Sequence, residues 1–117
     1  MAEATFLHGD PAFVDYTPGS GALSAGQVVP MGNTAAAGCL IAHGDMANAV
    51  EGGIAAQGGV YSVTSLQNNA DFANVYWDNT NNKVTNDVNN AYFGKIVGGG
   101  GAGANTTVEV LHLQPAP

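Results

Sequence analysis

Apolar and polar residues alternate in several short stretches of the chain, and Gly or Pro interrupts each stretch before an amphipathic helix can develop. In residues 13–17, for example, Val14 and Tyr16 share one face, and Pro18-Gly19 ends the run. This punctuation predicts about nine strands and an all-β fold, a small antiparallel β-barrel or sandwich. The sequence of residues 86–91 is compatible with a short helical turn. The segments with strand character are 5–8, 13–17, 27–31, 38–43, 48–51, 60–64, 74–77, 83–85, 91–97 and 106–113.

A β-hairpin is predicted around the single tryptophan of the chain. The strand-like residues 74–77 precede five turn-forming residues, Asp78-Asn79-Thr80-Asn81-Asn82, and a second strand-like segment follows. Alternation places Trp77 on one face and Tyr76 on the other. We therefore expect Trp77 and Asp78 to be structural, at the base of the hairpin, and Tyr76 to contact a partner.

Composition and charge exclude several classes of function. The chain has 117 residues, which fits one domain over residues 1–117, and a net charge of −7 with only two cations. No basic patch can form that would neutralise several phosphates or bind an anionic membrane, so we expect neither nucleic acid nor a membrane as a partner. The opening Met1-Ala2-Glu3 lacks a basic segment, and we expect no secretory signal. Since only 9% of residues are charged, we expect association to cover part of the surface.

The tripeptide His-Gly-Asp occurs twice, at residues 8–10 and 43–45. Two histidines and two carboxylates are suitable ligands for a divalent metal, as in a small metalloenzyme. Gly-Asp after a strand is also ordinary turn chemistry, and nothing in the sequence brings the two copies together. The turn interpretation is favoured. Cys39 is interpreted as a buried thiol. His112 is interpreted as a hydrogen-bonded histidine of the core or of an interface. We expect no catalytic residue, no cofactor and no metal.

A glycine-rich run at residues 98–105 has some likeness to a phosphate-binding loop. That motif requires Gly-Lys followed by Ser or Thr at the start of a helix, whereas a strand-like segment follows here. The run is therefore interpreted as a flexible Gly-rich loop between two strands.

The order of the segments resembles a known family. The stretches that carry the resemblance are MAEATFLHGDPAFVDYTPGSGALSAGQVV, AVEGGIAAQGGVYSVT, VYWDNTNNKVT and YFGKIVGGGGAGANTTVEVLHL. Together they are similar to the head decoration, or capsid cement, proteins of tailed bacteriophages, over nearly the whole chain. Two features depart from the familiar pattern: Glu109 and His112 stand where arginines are more common, and residues 98–104 are unusually rich in glycine.

The resemblance implies a structural virion protein without enzymatic activity, made in the host cytoplasm and located on the outer surface of the capsid. It would stabilise the expanded head by bridging capsomers. Its expected partners are the phage major capsid protein and itself, as a homotrimer at threefold or quasi-threefold positions.

Candidate contact residues lie near the start of the chain. Thr5, Phe6 and Leu7 belong to an extended N-terminal arm, residues 1–8, that is strand-like at a free end and suited to strand addition at a capsid sheet edge. The alternative is an ordinary edge strand of the chain's own sheet. Phe13 and Tyr16 are further interface candidates, although either is also compatible with the core.

An alternative function is a small carbohydrate-binding or receptor-binding β module on the virion. In that hypothesis Tyr61, Tyr76 and Trp77 would offer flat aromatic faces on which a sugar stacks. It requires these rings to be exposed, so burial of Trp77 would count against it.

Overall fold

The computed structural model describes residues 3–116, and the fold of this part of the chain is all-β, as predicted. Ten strands are formed within it, joined by turns and loops. No helix of the length and apolarity needed to cross a membrane occurs in the same residues. The strands are β1 Thr5–His8, β2 Ala12–Tyr16, β3 Val28–Pro30, β4 Cys39–Ile41, β5 Gly52–Gln57, β6 Val60–Ser65, β7 Asn74–Asp78, β8 Lys83–Thr85, β9 Ala91–Gly98 and β10 Thr106–His112.

The strands form two sheets. The six-stranded sheet has the order β1-β6-β10-β9-β7-β8 and is antiparallel, apart from a parallel pairing of Ser65 in β6 with Val84 in β8. The four-stranded sheet has the order β2-β5-β4-β3 and is antiparallel throughout. This two-sheet arrangement fits the sandwich, the second of the two predicted architectures. The first two strands of the chain each lie at a sheet edge.

Two sequence predictions about local structure are wrong. Residues 48–51 form a turn instead of a strand, with Ala49 in the left-handed region at φ 63°. The strand of this region is β5, which begins at Gly52-Gly53, residues that the sequence pattern assigns to punctuation. Residues 86–90 form turns and bends, and no helical turn precedes β9.

The main core lies between the two sheets, and a second core covers the outer face of the four-stranded sheet. Ile41 belongs to the first and Leu40 to the second, because neighbouring residues of a strand point to opposite faces. A bridge between Leu23 and Met46 ties together the loops that cover the second core. Strand β4 is therefore buried on both faces, which explains the unbroken apolar run Cys39-Leu40-Ile41-Ala42. Cys39 is a free, buried thiol whose pKa burial raises to about 12.

Candidate interaction surface

The predicted contact residues at the start of the chain lie on an exposed apolar surface. All four residues of β1 are exposed, and so are the first four of β2. Phe6, Leu7, Phe13 and Val14 are each between 40% and 51% accessible to solvent. Val14 lies on the face of β2 that also carries Tyr16, opposite to Phe13. We call the exposed pair Phe6 and Phe13, which share His43 as a neighbour, the β1–β2 surface. Large apolar side chains clustered at a surface are typical of a protein contact.

The N-terminal segment pairs with the rest of its own sheet. Thr5 and Phe6 lie opposite Ser62 and Tyr61 of β6, so residues 5–8 form an edge strand, the second of the two interpretations from the sequence. The other side of β1 has no partner strand among residues 3–116, which leaves one edge available for strand addition. Met1 and Ala2 of the predicted arm lie outside the described residues.

His43 connects the two edge strands, a role that the sequence did not indicate. Its ring lies 4.9 Å from that of Phe6 and 5.0 Å from that of Phe13, measured between ring centroids. The His43 Nε2 is hydrogen-bonded to the Tyr61 hydroxyl, and partial burial lowers the pKa of the imidazole. The two phenylalanines, which belong to different sheets, thus share one aromatic neighbour. No local sequence signal could have found this contact, because residues 6, 13 and 43 meet only in the folded chain.

Aromatic contacts continue from this surface into the main core. The Tyr61 ring lies 5.9 Å from that of His112, which lies 5.5 Å from Phe93, and Phe93 lies 5.7 Å from Trp77. These four side chains are at most 1% exposed. The β1–β2 surface is therefore supported from below by packed rings, which limits the rotamer freedom that a contact would have to remove.

His112 is a neutral core histidine. Its Nε2–H donates to the Cys39 carbonyl over 2.8 Å, while its Nδ1 is buried without a hydrogen-bond partner among the described residues. The pKa of His112 is lowered to about 4, chiefly by burial, with the Cys39 carbonyl opposing the shift and the nearby His43 adding to it. Protonation would place an unpaired N–H and a charge in the core.

We expect the fold to lose stability as the pH falls from about 6.5 to 4. The unfolded chain binds a proton at His112 in this window and the folded chain does not, so up to about 3 kcal/mol of unfolding free energy is lost. Urea denaturation at pH 7 and pH 4.5 measures the difference. His112→Gln should reduce the pH dependence and leave the contribution of His43, whose pKa burial also lowers. An NMR titration of His112 in the unmodified chain gives a second measurement, and a midpoint above pH 6 would contradict the prediction.

The remaining candidate residues lie apart from the β1–β2 surface. Tyr16 is half-buried and packs against the second core. Tyr76 is half-buried and contacts Tyr92, with ring centroids 5.6 Å apart. Trp77 is 1% exposed, and its indole Nε1–H donates to the Asn79 side-chain oxygen over 3.2 Å. Because Trp77 and Tyr61 are both buried, neither offers the exposed face that a stacked sugar requires.

Asp78 organises the tip of the hairpin. Its carboxylate accepts hydrogen bonds from the backbone N–H groups of Thr80 and Asn81 and from the Asn81 side chain. The bond from the Asn81 side chain is the main cause that lowers the pKa of Asp78. These bonds close the turn locally, so that Trp77 enters the core immediately before the chain reverses direction.

The two His-Gly-Asp tripeptides have separate surroundings. His43 contacts the aromatic residues described above, and Asp45 accepts a hydrogen bond from the backbone N–H of Ala25. Within residues 3–116, no group of three or more His, Cys, Asp or Glu side chains is placed to hold a metal ion.

Comparison with known proteins links the fold to a family. The search of curated proteins and the search of solved structures each found no match. A family model described as phage cement protein matches residues 8–112, which includes strands β2 to β10 and leaves Thr5, Phe6 and Leu7 before the matched region. Since this match covers nearly the whole chain, the protein belongs to the phage cement protein family.

Proposed function

We propose that this protein binds the outer surface of a phage capsid and stabilises the expanded head by bridging neighbouring capsomers. Membership of the phage cement protein family supports a structural role in association with the capsid. The observation that carries the contact itself is the β1–β2 surface, where Phe6 and Phe13 are exposed on two edge strands and share His43 as a neighbour. Its role is structural and not catalytic.

The charge of the chain favours the outside of the shell. At a net charge of −7, the protein is repelled by packaged DNA, which is a dense polyanion. The two cations of the chain provide no compensating basic patch. The outer surface, away from the genome, is therefore the side on which this chain meets the smaller electrostatic cost.

The contact combines a strand edge with aromatic anchors. On its free side, β1 offers backbone N–H and C=O groups to a strand at the edge of a capsid sheet. Phe6 and Phe13 offer exposed apolar area beside this edge. Aromatic residues that become buried at the centre of an interface usually carry most of its binding energy. Thr5 and Leu7 contribute from the same strand, whereas Tyr16 is half-buried and packs against the second core.

Bridging follows from many copies on a symmetric lattice. A protein that contacts two capsomers at once adds its binding free energy to the cost of separating them, and the sum grows with the number of copies. We further propose that the copies associate as homotrimers at threefold or quasi-threefold positions, because a closed ring places identical contacts on each surrounding capsomer.

The proposal predicts that expanded capsids lacking this protein bind it at a fixed copy ratio and become more resistant to heat. The variant Phe6→Ser/Phe13→Ser should bind at least about tenfold more weakly, because each lost aromatic anchor costs about 1 kcal/mol or more. Val88→Ser, which removes a similarly exposed apolar residue from the β8–β9 loop, is the matched control and should bind normally. Cosedimentation and the temperature of capsid dissociation measure the two effects.

Two results would contradict the proposal. Purified expanded capsids that fail to bind the protein would exclude it, as would binding that leaves the dissociation temperature unchanged. Equal affinities for the double variant and for Val88→Ser would leave capsid binding intact but place the contact elsewhere on the molecule.

A further inference from the structure

Phe72 is the most exposed large apolar side chain among residues 3–116, at 74% of its accessible surface. It lies in the loop before β7 and has a φ of 67°, in the left-handed region that bulky side chains rarely adopt. Both the left-handed backbone and the exposure of the phenylalanine ring to water cost free energy. Such positions are concentrated at sites of contact or function.

The loop that carries Phe72 is held in place by its neighbours. The Phe72 N–H donates to the Ile96 carbonyl over 2.6 Å, and the Gly100 N–H donates to the Asp71 carboxylate over 2.9 Å. A Cβ at Gly100 would lie only 2.3 Å from the Asp71 backbone nitrogen, so the glycine-rich segment can approach this closely because it lacks side chains there. Phe72 therefore lies in a loop that hydrogen bonds hold in position. The flexibility of residues 98–105 stays a prediction.

A groove of about 430 Å³ lies next to this loop and is lined largely by apolar and aromatic groups. Tyr76 and Tyr92 line this groove, with their ring centroids 5.6 Å apart. The Tyr92 hydroxyl donates a hydrogen bond to the Asn74 side chain over 2.9 Å. We call it the tyrosine groove; Ala35, Ala36, Pro115 and Lys95 also line it. Phe72 does not line the groove of its own chain, although Asn74, two residues further on, does.

The charges beside the two features are complementary. Lys95, one of the two cations of a chain with net charge −7, lines the groove, and Asp71 directly precedes Phe72. In a chain this acidic, most orientations of two copies repel one another, and an orientation that pairs Asp71 of one copy with Lys95 of the other would be repelled less.

We propose that Phe72 of one copy docks in the tyrosine groove of a second copy of this chain. The contact gives the proposed self-association a residue-level basis and rests on that proposal. A phenylalanine packed against two tyrosines and a proline has the composition of an interface anchor. Because anchor and groove lie side by side on each chain, every copy offers both halves of the contact, as a closed assembly requires.

Disulfide trapping between copies tests the contact directly. Chains carrying Ala70→Cys, at an exposed position two residues before Phe72, are mixed with chains carrying Ala36→Cys under mild oxidation, free in solution and bound to expanded capsids. The native Cys39 is buried and does not compete. We expect a covalent dimer of one chain of each kind, at least about tenfold more abundant than the dimer formed when Val88→Cys replaces Ala70→Cys. In addition, Phe72→Ser should weaken self-association by at least about tenfold in sedimentation equilibrium.

The outcomes separate this inference from the proposed function. If the protein binds capsids but the Ala70→Cys and Ala36→Cys chains cross-link no better than the Val88→Cys control, the docking contact is wrong and capsid binding stands. If cross-linking occurs in solution but no capsid is bound, the contact stands and the cement function is wrong. Equal self-association of Phe72→Ser and the unmodified chain would also overturn the contact.

Discussion

Replacing Gly94 by alanine is expected to prevent stable folding, with a loss of more than about 4 kcal/mol of unfolding free energy. Gly94 lies in β9 and pairs with Val75 of β7 on one side and with His112 of β10 on the other. A Cβ at this position would lie 1.9 Å from the Leu111 carbonyl oxygen and 2.9 Å from its carbon. Both atoms belong to the backbone of the neighbouring strand, so the overlap can be relieved only if β9 and β10 separate.

Gly101→Ala is the matched control for this substitution. Gly101 has a φ of 81°, which disfavours alanine, but no atom within 4 Å of the added Cβ. Its cost should therefore be limited to backbone strain of about 1–2 kcal/mol. Circular dichroism and urea denaturation of both variants measure the difference. If the two variants were equally stable, the strands would have to accommodate a side chain at Gly94, contrary to the structure.

Trp77→Ala is expected to lower the unfolding free energy by about 3–5 kcal/mol. The indole is 1% exposed, packs against Phe93 and donates its N–H to Asn79 at the tip of the hairpin. Truncation removes the largest side chain of the main core and leaves a cavity between the two sheets. For a chain of this size, such a loss is a large part of the total stability.

Tyr76→Ala, the neighbouring position on the opposite face, is the control for Trp77→Ala. Tyr76 is only half-buried, and its truncation should cost about 1–2 kcal/mol. Chemical denaturation followed by far-ultraviolet circular dichroism compares both variants without relying on tryptophan fluorescence. A cost for Trp77→Ala no greater than that for Tyr76→Ala would contradict the assignment of Trp77 to the core.

Most strands could be predicted from the sequence because their signals are local. Alternation and turn residues indicated β1 and the hairpin of β7 and β8 close to their observed bounds. Strand β5 was missed because Gly52 and Gly53 begin it, and glycine carries no apolar side chain for a periodic pattern to reveal. Its place is decided by pairing, since it lies between β2 and β4 in the four-stranded sheet.

The contact surface could be predicted only in part. Phe6 and Phe13 were candidates because both are apolar residues near the chain start, and both are exposed. The sequence indicates His43, which lies between them, only as a turn residue or metal ligand. Phe72 has no signal in the sequence, because an apolar residue in a polar loop has no periodicity, and only its accessible surface and its φ distinguish it.

The sequence by itself determined the all-β class, the Asn-rich hairpin and the acidic charge, because each depends on residues close together in the chain or on composition alone. Its ordered segments also carried the resemblance to the cement proteins, which the family match bears out. Only the tertiary structure decided which side chains share a surface. The meeting of Phe6, Phe13 and His43, and the place of the tyrosine groove beside Phe72, depend on pairings between strands far apart in sequence, and local patterns do not encode those pairings.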